Sequence, residues 1–485
     1  MISEIIAKAR VAQKLWEKTP YNERAKRLKK AAWFLGRSVD EITRVISEDN
    51  GKLPLDALAT EVLPAILAMG FYIKNGRKFM RSRMIGGRSL LMFNKVSRMI
   101  FRPYGVIGII SPWNYPFAIP FSEVVMALLA GNAVILKTAS ATPNVGRVIE
   151  RIFVEAGLTD GLFAYVEVPG KEAGPAFIAG GIDKLFFTGS TATGKELSAL
   201  AAPRLLPLVL ELGGADAAII RIDADLDRAA AGLIWAGFSN AGQSCGGVQR
   251  VLVHRAVFVA FLEKLRRLTE SLREGIDMGP MTTFKQKQMV QRQIDACLAK
   301  GAKIAVKSRS TENSNFLPAM ILTDVPDDTP IMREEIFGPV FAVIPVNDDE
   351  EALRIANSSV YGLTGSVWSR DRQTARLLAA RMNAGTVMVN DHLMSHGLAE
   401  TPWGGFGDSG LGRTHGEVGF REMLKTQVVV DDFLPAVKRN LWWQPYSEKV
   451  YVGIRAIVEL LTGGLLSKVK AFPSVLRIFF RYWEK

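Results

Sequence analysis

Cysteine is nearly absent from this chain: Cys245 and Cys297 are the only two in 485 residues. A single pair cannot build a disulfide framework, and the two local contexts differ, so a reducing, cytoplasmic setting is expected. Histidine is scarce as well. His254, His392, His396 and His415 show no metal-ligand spacing, and no metal site is expected. Basic residues are not interleaved with aromatics in the manner of a nucleic-acid module. The start, Met1-Ile-Ser-Glu-Ile-Ile, has no basic segment ahead of a long apolar run, so no signal peptide is expected. Internal repeats and low-complexity linkers are also lacking.

Acidic residues are missing from one long stretch. Between Val62 and Ser122 stand Lys74, Arg77, Lys78, Arg81, Arg83, Arg88, Lys95, Arg98 and Arg102, with no Asp or Glu. From Leu441 to Lys485 there are seven basic residues against three acidic ones. These two stretches account for the whole net charge of +13, so the rest of the chain is balanced. A localised excess of this kind implies an anionic partner at one or two surfaces.

What is present is a well-folded globular composition, 48% hydrophobic and 22% charged. The length predicts two or three domains. Apolar spacing predicts helices over Ala7–Trp16 and Tyr21–Ile46, and the run from Met99 to Ile110 reads as strand. Strand-like and helical runs then alternate. Ala133–Lys137 precedes a helix over Asn144–Ala156; Lys184–Phe187 precedes one over Gly194–Ala202; Leu208–Glu211 follows. Such βαβ alternation implies a parallel sheet covered on both faces. The second half continues with strands at Gln249–Val253, Phe341–Val346 and Gly365–Trp368, and helices at Phe258–Arg273 and Lys285–Lys300.

Two short segments carry the chemistry. Cys245 stands in Asn240-Ala-Gly-Gln-Ser-Cys-Gly-Gly247, where small neighbours let other molecules approach the thiol closely. Glu211 ends an apolar strand before Gly213-Gly214 and is a candidate base for that thiol or for a hydrolytic water. Asn114, in Ser111-Pro-Trp-Asn114, supplies an amide that could hold a developing alkoxide together with the Cys245 N–H. Gly189-Ser-Thr-Ala-Thr-Gly194 lies between strand and helix, where backbone N–H groups bind phosphate. These parts suit oxidation of an aldehyde through a thioester. Cys297, in an ordinary helical segment, reads as structural.

With these motifs in this order, the chain resembles the NAD(P)+-dependent aldehyde dehydrogenases from about Ala12 to Val430. The resemblance implies an α/β fold with two doubly wound parallel-sheet domains and a β oligomerisation arm. Residues 1–84 and 104–213 would bind the dinucleotide, 214–415 would form the catalytic domain, and 85–103 with 425–440 the arm. It implies Cys245 as nucleophile, Glu211 as base and Asn114 as oxyanion donor. Trp113, Lys137, Ser140, Gly189, Ser190, Gly194, Leu212, Glu335 and Phe337 would contact NAD or NADP, and Tyr115 and Trp403 would line the substrate tunnel. A homodimer or homotetramer is implied.

Three departures from the family pattern matter. Ser140 stands where NAD-preferring members carry a Glu against the ribose 2′-OH, so NADP is expected to be accepted. Trp403 replaces a usual Phe, giving an aromatic, apolar entrance with Tyr115. Thr414 replaces a Glu of a proposed proton path.

Residues 441–485 extend beyond the family's usual end. They are rich in Trp, Phe and Leu and punctuated by Lys and Arg, with no run of 18 uncharged residues. Three readings stand open: a basic amphipathic helix lying in an anionic lipid interface, a tail packed on a neighbouring subunit, and disorder. The expected function is oxidation of a medium- or long-chain aldehyde to a carboxylic acid with NAD or NADP, on the inner face of a membrane. The alternatives are a soluble semialdehyde dehydrogenase of small-metabolite catabolism and a non-catalytic membrane-binding scaffold.

Overall fold

The computed structural model describes residues 2–86, 90–158, 160–311 and 315–483. Arg88 and Lys485, counted in the basic stretches, lie outside the described residues. The chain divides into two compact units: Met1–Met80 with Arg102–Lys425, and Arg81–Phe101 with Thr426–Lys485.

The first unit holds a two-stranded sheet, Tyr361–Gly362 with Phe406–Gly407, and two large ones. One has six strands in the order Gly410–Leu411, Leu208–Glu211, Lys184–Thr188, Val106–Ile110, Ala133–Lys137, Phe163–Tyr165. All its pairings are parallel except that of Gly410–Leu411 with Leu208–Glu211. The central strands are buried along their whole length, which is why they read as unbroken apolar runs without alternation. The other sheet has seven strands: Lys303–Lys307, Met320–Thr323, Val340–Val346, Val248–His254, Asp216–Ile220, Thr364–Trp368 and Thr386–Val389. Only its first pair is antiparallel. The architecture is α/β, with helices between successive parallel strands.

Boundaries depart from the periodicity at two places. The expected helix Tyr21–Ile46 is two, Tyr21–Arg37 and Val39–Asn50. Ser38, just after Gly36, closes the first with its N–H on the Phe34 and Leu35 carbonyls. The expected strand Met99–Ile110 is also two, Lys95–Pro103 and Val106–Ile110. Gly105 separates them at φ +132, beside an Asp183 carboxylate that a Cβ there would strike.

In the second unit, Arg83–Ile85, Lys95–Pro103 and Leu424–Asp432 form a three-stranded sheet. The tail folds as a helical hairpin, Glu448–Thr462 and Leu465–Phe479, turned at Gly463-Gly464. It has a core of its own, with Leu441, Val450, Ile457, Val475, Ile478 and Tyr482 buried together and Phe93 packed against them. An ordered hairpin replaces the disordered reading of residues 441–483.

Candidate active site

Cys245 follows the helix Leu226–Phe238 through a left-handed turn. Asn240 and Ala241 both adopt φ +52, and Gly242 lies at φ +68. Non-glycine residues held there cost roughly 1–3 kcal/mol each, so the surroundings must enforce the turn. They do so with buried amides. Asn240 Nδ2 donates to the carbonyls of Asn114 (3.0 Å) and Gln243 (3.2 Å), and Gln243 Nε2 returns a bond to the Asn240 carbonyl at 2.9 Å. Gly242 cannot be replaced, because a Cβ would sit 2.2 Å from the Gly338 carbonyl oxygen.

Asn114 is fixed from the other side. Its Nδ2 donates to the Gln243 carbonyl at 3.1 Å, which leaves its second amide hydrogen for the cleft that it lines with Cys245. Its carbonyl accepts from Lys52 Nζ at 2.9 Å. Lys52 in turn pairs with Glu61 at 2.6 Å, both side chains fully buried, and Glu61 accepts from the Phe117 and Ala118 N–H groups. Glu61 therefore serves the unpaired N–H groups where the helix Ala118–Ala130 begins, directly after the Asn114 loop.

Cys245 stands where three cavities meet. The first, about 190 Å³, is lined by Trp113, Asn114, Gly189, Ser190, Leu212, Glu335 and Phe337 among others. Trp113 and Phe337 meet edge to face there at 5.4 Å. Ser190 caps the helix Thr191–Ala201, accepting from Thr193 N–H, so further N–H groups at that end remain for an anion. Gly194 lets Leu212 pack against this helix, since a Cβ there would lie 2.6 Å from the Leu212 side chain. Phe337 adopts φ +49, and its carbonyl accepts from Gln286 Nε2 at 3.1 Å. Glu335 is half-buried at the cleft wall; desolvation there pushes its carboxyl up to about 8, and it accepts from Gly214 N–H at 3.3 Å.

Lys137 and Ser140 lie outside this lining. Lys137 ends its strand largely buried, so its ammonium is pushed down by desolvation; Ser140 is exposed three residues on. The open helix end, the glycine at 189 and an aromatic pair beside a half-buried carboxyl fit a nicotinamide dinucleotide.

The second cavity is an apolar funnel of about 470 Å³. Tyr115 and Trp403 lie near its buried end and Leu55, Leu63 and Leu67 at its mouth. A Cβ on Gly246 would fall 2.8 Å from the Trp403 ring, so the glycine after the nucleophile makes room for that indole.

The third cavity, about 10 Å³, is the size of one water. Glu211, Glu123, Thr188, Thr414 and His415 line it with Cys245. Glu211 is buried and neither carboxylate oxygen meets a hydrogen-bond donor. Burial, reinforced by Glu123, pushes its carboxyl well above the usual carboxylate range. Burial alone raises Glu123 to about 8. The Cys245 thiol is likewise pushed up, by burial and then by Glu335, Asp216 and Glu211. Among the described residues no group of three His, Cys, Asp or Glu side chains could hold a metal.

Cys245, Glu211, Asn114, Trp113, Gly189, Ser190, Leu212, Glu335 and Phe337 thus converge on one cleft, and Tyr115 and Trp403 on the adjoining funnel. Sequence reasoning missed Lys52, Glu61, Gln243, Glu123 and His396. Glu123 had a readable signal, being the only charge within the apolar helix Ala118–Ala130. Lys52 and Glu61 had none, because charges flanking a helix start read as solvated.

Comparison with known proteins agrees with this geometry. The profile of the "Aldehyde dehydrogenase family" matches residues 1–429. The chain is 34% identical over 485 residues to the 4,4'-diapolycopene aldehyde oxidase of Methylomonas sp, covering 99% of this chain and 91% of that one. The structure of an aldehyde dehydrogenase from Bacillus cereus with NAD+ superposes with a TM-score of 0.84 at 32% identity, covering 89% of this chain and 88% of that one. A succinic semialdehyde dehydrogenase from Streptococcus pyogenes with NADP+ gives 0.83 at 28% identity, covering 88% and 94%. With its thiol set between a dinucleotide-shaped cleft and an apolar funnel, and the family profile spanning most of its length, the chain belongs to the aldehyde dehydrogenase family.

Proposed function

We propose that this aldehyde dehydrogenase oxidises long, apolar aldehydes to carboxylic acids, using NAD+ or NADP+. The observation that carries the reading is the funnel, whose lining is apolar over most of its surface and leads to Cys245. Its lining contains no Lys or Arg to hold a substrate carboxylate. Asp56, with its carboxyl raised by burial, and His396, lowered to about 4 by burial, are its ionisable groups besides Tyr115 and the thiol. An anionic semialdehyde would find no counter-charge there. The Methylomonas relative, matched through the tail, carries the name of an enzyme acting on a long apolar aldehyde.

In the proposed reaction the Cys245 sulfur adds to the aldehyde carbon, with Glu211 positioned to take the thiol proton. The free amide hydrogen of Asn114 and the Cys245 N–H hold the alkoxide of the hemithioacetal; one such donor contributes about 2.7–4 kcal/mol to the transition state. A nicotinamide dinucleotide held in the cleft would supply the hydride acceptor for the former aldehyde carbon, and Cys245 is then left carrying a thioester. Ser190, Glu335, Phe337, Trp113 and Lys137 would hold that cofactor, with Gly189, Gly194 and Leu212 shaping the cleft. Ser140 leaves space and no repulsion for a 2′-phosphate. Once Glu211 has passed the thiol proton to solvent, it takes a proton from a water in the small cavity. The resulting hydroxide adds to the thioester carbon, the C–S bond breaks, and the departing sulfur recovers the proton from Glu211, giving acid and free thiol.

The tail hairpin exposes Tyr451, Leu461, Leu465, Leu466, Phe472 and Phe480 beside Lys468 and Lys470. This is the composition of a surface seated in an anionic lipid interface, and it supports a peripheral enzyme on the cytoplasmic side of a membrane. The test is turnover across a panel from succinic semialdehyde to hexadecanal. Rising kcat/KM with chain length is expected; good turnover of the semialdehyde with none of decanal or hexadecanal would refute the reading.

A further inference from the structure

The helix Pro54–Phe79 is, by length and composition, apolar enough to cross a membrane, yet only part of it is buried. Val62, Ala65, Met69 and Tyr72 are buried where it packs on Ala118–Ala130. Its other face carries Leu55, Leu63 and Leu67, which are 75%, 49% and 55% exposed. These three line the mouth of the funnel with Trp235 and Met394, themselves 37% and 47% exposed. Three separate elements thus set large apolar side chains in one exposed rim around the route to Cys245. Contiguous exposed apolar surface of this kind marks an interaction site.

A π-helical turn, Leu58–Val62, keeps the stripe aligned. It inserts one residue of slack, so that Leu55, Ala59, Leu63 and Leu67 all reach the same opening. Beyond Leu67 the same face becomes basic. Lys74 and Lys78 follow at helical spacing with Arg77 beside them, all three exposed. No acid lies between Val62 and Ser122 to offset them, and Glu61 at the near end is buried on Lys52.

We propose that this face of the helix Pro54–Phe79, with the funnel rim, docks on an anionic lipid surface, so that an apolar aldehyde enters the funnel directly from lipid. The inference rests on the long-chain reading above. A rigid partner seated on the rim would close the opening to Cys245, whereas a fluid lipid surface leaves it open and supplies the substrate. Each methylene favours a hydrocarbon phase about fourfold over water, so a long aldehyde is concentrated in lipid and nearly absent from solution.

The test uses the full chain and its Lys74→Gln/Arg77→Gln/Lys78→Gln variant, none of whose changed residues lines the funnel. Flotation is read with phosphatidylcholine vesicles with or without phosphatidylserine. Turnover is read for hexadecanal in those vesicles and for octanal in buffer, and subunit number is measured by light scattering. At roughly fivefold per basic residue, binding to the anionic vesicles is expected to weaken about 100-fold. Hexadecanal turnover should fall with it while octanal turnover and subunit number stay unchanged. A Lys468→Gln/Lys470→Gln variant reads the tail separately. Unchanged vesicle affinity of the helix variant, or loss confined to the tail variant, would overturn the proposal. So would a changed subunit number, which would assign the face to a second copy. If the unaltered enzyme binds vesicles yet oxidises only short polar aldehydes, the substrate reading fails while the docking measurement stands on its own.

Discussion

The buried Lys52–Glu61 pair makes the most demanding prediction, because it ties stability and catalysis to the same two side chains. Lys52 Nζ has three neighbours: Glu61 at 2.6 Å, the Asn114 carbonyl at 2.9 Å and the Tyr115 ring, whose centroid lies 4.1 Å away. Lys52→Met keeps most of the stem and removes the ammonium. Glu61 then retains its two backbone donors but no counter-charge, with its side chain fully buried. Breaking a buried pair in this way costs about 3–5 kcal/mol. Glu61→Gln makes the reciprocal break and should be of similar size. The double variant removes both charges, so it should be less destabilised than the sum of the singles; the difference measures the coupling.

The kinetic consequence follows from what Lys52 holds. Without it the Asn114 carbonyl keeps only the Asn240 amide, so the Asn114 side chain is held less firmly. Asn114→Ala should lower kcat about 10²–10³-fold, the usual loss of one oxyanion donor. Lys52→Met loosens that donor without deleting it, so roughly a tenfold fall in kcat is expected, with the KM of octanal little changed because the alkoxide forms only after binding. Urea midpoints and steady-state kinetics on the same samples read both effects. A Lys52→Met enzyme that loses stability but keeps full kcat would show the pair to be structural only. One that loses neither would refute the whole argument.

Other perturbations give equally definite outcomes. Glu211→Gln should slow release of the first NAD(P)H, because the thiol loses its proton acceptor, and then stop near one NAD(P)H per site, because the water that cleaves the thioester also lacks a base. Stopped-flow absorbance at the nicotinamide band reads both phases, and a first turnover at full rate would show that Glu211 does not accept the thiol proton. Ser140→Glu should cut kcat/KM for NADP+ at least tenfold while sparing NAD+, since it sets a carboxylate where a 2′-phosphate would lie. Glu123 is held neutral in the fold with its carboxyl at about 8, but has an ordinary value once unfolded. The unfolded chain therefore binds fewer protons above about pH 4.5, and this group's contribution to stability falls by about 1.4 kcal/mol per pH unit up to about pH 8, then levels off. Glu123→Gln should remove that slope in urea titrations across the range, and an unchanged slope would refute the assignment.

The parts legible in the sequence were those whose cause is local. Ala133–Lys137 and Lys184–Thr188 read as strands because parallel strands buried on both faces leave unbroken apolar runs. Cys245 and Glu211 stood out because their flanking glycines make sense only if other groups approach closely. Ser38 hid its helix break because one polar residue between two amphipathic stretches leaves the apolar period intact. Asp216–Ile220 was missed as a strand, although its five residues are all buried at the centre of the larger sheet.

Of the funnel, only Tyr115 and Trp403 were named in advance, through the family resemblance; its rim could not be read because no segment contains it. Leu55 with Leu63, Trp235 and Met394 come from three distant stretches, and each alone resembles an ordinary surface residue. In the proposed reading the funnel selects the substrate, and it also bears on the acid chemistry at its base. Apolar walls exclude the water that would stabilise charge, and the charged groups whose fields act on the thiol are carboxyls: Glu335, Asp216 and Glu211. The thiol and Glu211 are consequently both pushed toward their neutral forms in the resting enzyme. Proton transfer from one to the other becomes favourable only when positive charge enters the adjoining cleft, where Trp113, Phe337 and Glu335 stand ready for it. Alkylation of Cys245 by iodoacetamide at neutral pH should therefore be slow in the free enzyme and at least tenfold faster with saturating oxidised nicotinamide dinucleotide. Equal rates would mean that the thiol is already ionised at rest, against the burial and the surrounding carboxyls.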